Sequence, residues 1–353
     1  MKWLLALIFV VGLAHGQTID DVVKQFEDIN TRADKGGGIV IGYVNNGETD
    51  IRILGNESLN EKTIFEIGSL TKPMTGLLLA DLVSEGEVKL EDSINTLLPE
   101  EARKPEFDGV TLQGLATHTS GLPRLPPNMN WLWMLRNGED PYGTFGEAEL
   151  YEGLAETTPK DVGEQSTYSN FGFGLLGFLL AESQGETYEQ LLRQTILEPL
   201  EMTSTYIGSD PSGVTVAPPL TDRGREGDRW TFREPLMGAG AVKSNMHDML
   251  LFLNAYLNES VLTQDLVFAT QPYFKLSEFD DVGLAWVISK QNNQRVIWHN
   301  GETGGYAAFL GFNPDTKQGL VILSNLTIGD ELPKRGVNFL LGQPITTATN
   351  SGQ

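Results

Sequence analysis

This 353-residue chain contains no cysteine. That absence excludes disulfides, zinc–thiolate sites, thiol nucleophiles and a lipid-modified N-terminal cysteine. Histidine is scarce, with four in all. His118, His247 and His299 lie far apart and none has a partner at metal-ligand spacing, so neither a metal nor a cofactor is expected. Basic residues are also short. The chain has 25 Lys and Arg against 47 Asp and Glu, a formal charge of −22. Such acidity argues against nucleic acid and anionic membranes as partners. No apolar run reaches the roughly 18 residues of a membrane span, so no stable membrane insertion is expected.

What is present begins with a leader. Lys2 gives a positive start, Trp3 to Leu13 is apolar, and Ala14-His15-Gly16 offers cleavage positions. Residues 1–16 therefore read as a signal peptide, cleaved between Gly16 and Gln17, giving a secreted or periplasmic protein. In a host that glycosylates secreted proteins, Asn56, Asn258 and Asn325 would each open an Asn-x-Ser/Thr acceptor site. The tail, residues 346–353, is polar.

Residues 17–345 read as one domain. Val22, Val23, Phe26 and Ile29 recur at helical spacing and predict a first helix over Ile19 to Asp34. Strands are expected at Gly38–Val44 and Thr49–Leu54, joined through Asn45-Asn46-Gly47, a strong hairpin signal. The apolar stretch Met74 to Val83 predicts a helix buried on several sides, with Pro73 tolerable in its first turn. From about residue 86 the pattern is helical segments separated by long loops. A helix at Ser244–Tyr256 follows, then strands at Val282–Ser289, Arg295–Asn300, Tyr306–Asn313 and Gly319–Ser324, and a last helix at Glu331–Leu341. Strands at both ends with helices between predict an α+β fold. An antiparallel sheet, flanked by the terminal helices, would come from residues 17–85 and 235–345. A mainly helical part, residues 86–234, would be inserted, with the active site in the cleft between.

Three short motifs carry chemistry. Ser69 stands three residues before Lys72, close to one helical turn, so the two side chains can share a face. A desolvated amine beside a hydroxyl can take its proton and make it a nucleophile. Alone, Ser-x-x-Lys is also a common coincidence. Tyr168-Ser169-Asn170 precedes the apolar run Phe171–Leu180. A tyrosine whose phenol is depressed by nearby cations can act as a base, and an asparagine can hold an amine and a substrate carbonyl together. The plainer reading is a helix cap beside a core tyrosine. His299-Asn300-Gly301 ends a strand, where glycine would let a substrate approach the backbone and amides could bind an oxyanion. The plainer reading there is a turn with an incidental histidine. Trp131, Trp133 and Tyr142 could line the mouth of a cleft, though core packing is the commoner use of such residues.

Taken together, these motifs resemble the serine β-lactamase and penicillin-binding-protein superfamily, in its class C β-lactamase, DD-carboxypeptidase and esterase branch. The intervening stretches fit too: Phe65-Glu66-Ile67-Gly68, Leu115 to Pro123 (LATHTSGLP), Gly163-Glu164-Gln165, and Gly238-Ala239-Gly240 with Ser244. The resemblance spans nearly all of residues 20–340 in the right order. It implies a β-lactamase/transpeptidase-like fold and a serine hydrolase acting through an acyl-enzyme on Ser69. Lys72 and Tyr168 would share proton transfer. Asn170 would position Lys72 and the substrate. The amides of Ser69 and Glu302 would form the oxyanion hole. His118 would be structural, orienting a loop.

One departure bears on substrate. β-Lactamases of this branch usually carry lysine where His299 stands. Lysine is charged at pH 7 and histidine is mostly neutral. A neutral His299 would attract a substrate carboxylate less and depress Tyr168 less, and Glu302 would either add negative charge beside it or point to solvent. The substrate expected is therefore a small molecule or peptide carrying an ester or amide, with esterase or peptidase chemistry favoured over strong β-lactamase activity. A non-catalytic binding or scaffold relative of the same fold is the competing class. A lipase-type hydrolase is disfavoured because no Gly-x-Ser-x-Gly surrounds Ser69.

Overall fold

The computed structural model describes residues 17–129, 140, 142–291 and 293–343. The leader, the tail, Trp131 and Trp133 lie outside the described residues. Eight strands form one antiparallel sheet: β1 (Gly38–Asn45), β2 (Glu48–Gly55), β5 (Phe274–Lys275), β6 (Asp280–Val282), β7 (Val287–Gln291), β8 (Gln294–Glu302), β9 (Ala307–Asn313) and β10 (Gln318–Ser324). Their order is β2-β1-β10-β9-β8-β7-β6-β5, so strands from the two ends of the chain meet at β1 and β10. A two-stranded ribbon of β3 (Phe65–Glu66) and β4 (Lys243–Ser244) stands apart.

Side-chain alternation assigns the two faces of the large sheet. Ile39, Ile41 and Tyr43, with Phe309, Leu320 and Ile322, pack under helix α1 (Ile19–Lys24) and the C-terminal helix α5 (Glu331–Leu340). Val40, Val44, Leu310, Phe312, Val321 and Leu323 face the opposite way. There they meet helix α4 (Met246–Leu257) and helix α2 (Thr71–Ser84). α2 is the central helix, with 11 of its 14 residues buried, which is why its apolar residues show no single stripe. Its third residue is Pro73, in the first turn, where no helical N–H is owed. Beyond α2 the same apolar cluster continues into helix α3 (Asn170–Gln184) and the short helices Leu112–Ala116 and Tyr188–Leu192. The β1–β2 hairpin turns as expected, with Asn46 at φ 50° and Gly47 at φ 86°.

Two elements depart from expectation. α1 ends at Lys24, ten residues short of Asp34. The carbonyl of Gln25 and the carboxylate of Asp28 are taken by the guanidinium of Arg335 on α5, and Arg32 turns left-handed at φ 53°. A distant partner thus replaces the next helical turns. The run Val282–Ser289 is two strands rather than one. Ala285 sits at φ 72° and the chain folds back, so that Val282 pairs with Val287.

Two of the three Asn-x-Ser/Thr sites differ sharply in access. Asn325 is fully buried, its Nδ2 donating to Gly36 O and Pro218 O, so no glycan fits there. Asn258 is exposed. No described helix is long and apolar enough to cross a membrane.

Candidate active site

Ser69 lies in a short 3-10 turn, Gly68–Leu70, that leads into α2. Its neighbour Lys72 is completely buried, while Ser69 is partly open to solvent. The Lys72 Nζ has three partners: Ser69 Oγ at 2.9 Å, Asn170 Oδ1 at 2.9 Å and the Ala239 carbonyl at 2.6 Å. Burial, assisted by the charge of Arg124, holds this ammonium well below the ordinary lysine value. A neutral amine has two N–H bonds and one lone pair. The two carbonyl oxygens can take the N–H bonds, which leaves the lone pair for the Ser69 hydroxyl.

Tyr168 comes from the other wall. Its hydroxyl donates to Ser69 Oγ at 2.7 Å. The stretch is set by caps: Ser169 is extended, and its Oγ accepts from Gly172 N to start α3. An extended residue followed by the first helical residue lets Tyr168 and Asn170 converge on Lys72, although they are two apart in sequence. His118 supports the arrangement. It adopts φ 62°, its Nδ1 accepts from Ser169 N at 3.0 Å, and its ring packs 4.5 Å from that of Tyr168 and 4.7 Å from that of Phe173. The expected depression of the Tyr168 phenol does not occur. Burial pushes it up, and the Ser69 hydrogen bond and Arg124 offset only part of that. Tyr168 is therefore a proton donor in the resting site.

The third wall is the end of β8. β7 pairs with β8 only as far as Trp298, so residues 299–302 run on with that edge free. Thr303 N bonds to Tyr306 O across the turn, and by alternation the Glu302 amide points away from β9, toward this free edge. Gly68 and Gly301 interlock here. A Cβ on Gly301 would stand 2.0 Å from Ile67 O and 2.8 Å from Ser69 N, and one on Gly68 would stand 2.9 Å from Glu302 N. The close approach that Gly301 permits is thus made by the Ser69 turn itself, not by a substrate. It brings the amides of Ser69 and Glu302 side by side.

His299 does not line the cleft. It is 5% exposed, its Nδ1 lies 2.6 Å from Asn300 O, and its ring centroid is 6.4 Å from that of Tyr168. Burial, and then the nearby Lys72, lower its pKa to about 3, so it is neutral at pH 7. The residue after Gly301 does face the cleft: Glu302 lines it, with its carboxylate accepting from Gly329 N at 2.5 Å. Burial raises the Glu302 pKa, and the Gly329 hydrogen bond offsets part of the rise.

The cleft has a volume of about 500 Å³, and its lining includes Ser69, Tyr168, Asn170, Arg124, Glu302 and Asp330. Three contributors escape the motifs. The Ala239 carbonyl binds Lys72 and belongs to a segment recognisable only as Gly-Ala-Gly. Tyr142 accepts from Asn170 Nδ2 at 2.9 Å and stacks 4.3 Å from Phe232, so it is both core and cleft wall. Arg124 follows a recognisable Gly-Leu-Pro, but nothing local shows that it reaches Tyr168.

The Beta-lactamase family model matches residues 19–340. The D-alanyl-D-alanine-carboxypeptidase/endopeptidase AmpH of Escherichia coli (strain K12) is 30% identical over 284 residues, covering 74% of this chain and 70% of AmpH. Penicillin-binding protein 4* of Bacillus subtilis (strain 168) is 25% identical, over 94% of this chain and 76% of its own length. A class C beta-lactamase structure superposes with a TM-score of 0.77 at 23% identity, covering 94% of this chain and 99% of that one, which shows a common fold.

Proposed function

This chain belongs to the Beta-lactamase family and is a serine hydrolase, and on that premise we propose that Ser69 is its nucleophile and that esters or amides without a carboxylate beside β8 are its substrates. The observation that carries the reading is the fully buried Lys72 amine, 2.9 Å from Ser69 Oγ. Held neutral, it takes the Ser69 proton as Oγ attacks the substrate carbonyl. The carbonyl oxygen then becomes an oxyanion, which the Ser69 and Glu302 amides are placed to receive. As the tetrahedral intermediate collapses, Tyr168 gives its proton to the departing alcohol or amine, and the proton on Lys72 returns to Tyr168. A water molecule repeats the sequence on the acyl-enzyme: Lys72 takes its proton as it attacks, and Tyr168 gives its own to the departing Ser69 Oγ. Asn170 holds the amine in place.

The substrate preference follows from charge. His299 is neutral and buried, and Glu302 and Asp330 line the cleft beyond β8. A carboxylate placed there meets acids rather than a lysine. The chain is proposed to be exported, with its mature form beginning at Gln17; intact-mass analysis of the protein from its own host tests this.

A fluorophosphonate probe should label wild-type protein at Ser69 and leave Ser69→Ala unlabelled. Hydrolysis of a neutral 4-nitrophenyl ester should fall at least about 10⁴-fold in that variant. At pH 7, kcat/KM on the neutral ester should exceed that on a carboxylated β-lactam. The opposite order would sink the substrate reading, and undiminished turnover in Ser69→Ala would sink the nucleophile assignment.

A further inference from the structure

Among the described residues, Arg124 is the one Lys or Arg lining the cleft. Its guanidinium carbon lies over the Tyr168 ring, 5.1 Å from the centroid, a cation–π contact. The chain beneath it is anchored, because its carbonyl accepts from Asn170 N at 2.9 Å and Phe171 N at 3.2 Å. Among the described residues the guanidinium makes neither a hydrogen bond nor an ion pair. Acids are not in short supply in a chain with 47 of them. Several other arginines are ion-paired, among them Arg229 with Asp210, Arg335 with Asp28 and Arg295 with Asp315. Arg124 is held in place beside the nucleophile with its five donors unspent.

The opposite side of the cleft carries the other sign. Glu302 and Asp330 line it, and neither lies within ion-pair distance of Arg124. A substrate carbonyl at Ser69 therefore sits between a cation on the α3 side and two acids on the β8 side.

We propose that Arg124 forms an anion-binding subsite, taking a substrate carboxylate on the α3 side of the scissile carbonyl through the fork of its guanidinium. The proposal rests on the hydrolase reading above and narrows it. A carboxylate is rejected next to β8 and accepted next to Arg124, so the matching substrates bear a carboxylate on one side only, with a neutral or ammonium group on the other. Planar two-point pairing suits arginine and is poorly reproduced by lysine.

Two matched esters test this: 4-nitrophenyl butyrate, which is neutral, and the 4-nitrophenyl half-ester of succinic acid. The readout is the ratio of kcat/KM for the succinyl over the butyryl ester, in which any general effect of Arg124 on the reacting groups cancels. Arg124→Gln should lower that ratio about tenfold, and Arg124→Lys should lower it part of the way. An unchanged ratio in Arg124→Gln overturns the subsite. A second measurement does not need turnover: calorimetric titration of succinamate and of neutral butyramide into Ser69→Ala protein. Succinamate should bind more tightly, and adding Arg124→Gln should remove the difference. If wild-type protein hydrolyses neither ester while the titration behaves so, the hydrolase reading fails and the subsite stands. If both esters turn over and Arg124→Gln changes neither the ratio nor the titration, the subsite fails and the hydrolase reading stands.

Discussion

The floor and the rim of the cleft are built differently. On the floor every reacting group is committed: the Lys72 amine has three partners, Ser69 Oγ has two, and Asn170 bridges Lys72 to Tyr142. On the rim the charged groups are only loosely committed. Arg124 touches one ring face, and Glu302 is tied by a single backbone amide. A saturated buried network tolerates one arrangement and so fixes the reaction. Side chains with spare donors and acceptors are free to select what binds. The difference assigns reaction type to the floor and substrate choice to the rim.

That division can be broken from its strongest side first. Lys72→Arg puts a fixed cation where the site needs a neutral amine, so kcat on a neutral ester should fall by about 10²–10⁴. Retention of the wild-type rate would mean that Lys72 is not the base. Gly301→Ala drives a methyl into Ile67 O and the Ser69 turn. We expect a loss of about 10²–10³ in kcat from the displaced Glu302 amide, and about 1–3 kcal/mol of stability from overpacking, read by single-turnover kinetics and a urea midpoint. If kcat survives, the Glu302 amide is not part of the oxyanion site.

His299 supplies a pH test. Its folded pKa lies near 3, below the unfolded value of 6.5, so the unfolded state binds the extra proton between those values. Stability should therefore fall with falling pH from 6.5 toward 3, by about 2 kcal/mol at pH 5 from this residue alone. In His299→Gln the acid slope measured by urea melts should be shallower by that amount. Parallel slopes would mean that the imidazole is solvated and belongs with the rim. The smallest effect is expected from Glu302→Gln, which should raise kcat/KM on a carboxylated β-lactam about 2–5-fold, as befits a partly screened rim charge. A thousandfold change there would move Glu302 to the floor.

Local spacing made part of this readable from sequence. Ser69 and Lys72 share a turn because three residues nearly close one, and Asn46-Gly47 makes a hairpin because both can adopt positive φ. The apolar density of Met74 to Val83 announces a buried helix whatever surrounds it. What failed depends on distant partners. The early end of α1 is decided by Arg335, some three hundred residues away. The direction of the Tyr168 shift is a balance of burial against charge, and no tripeptide carries its own burial. Arg124 and the Ala239 carbonyl are placed by where their loops cross α2 and α3, which residue type does not encode. The break at Ala285 was hidden because a non-glycine residue took the left-handed conformation.

The pairing of β1 with β10 sets the order in which this protein can come into being. Ile39 opposes Ser324, nearly the whole chain apart, and β8 and β9 are seated only beside that pair. The chain must therefore be made as far as Ser324 before the sheet can close, and the entropy of that long loop is met at this step. Until β8 is in place the nucleophile is a serine on a helix that lacks one wall of its site. A protein assembled in that order acquires its chemistry only as its last strand arrives.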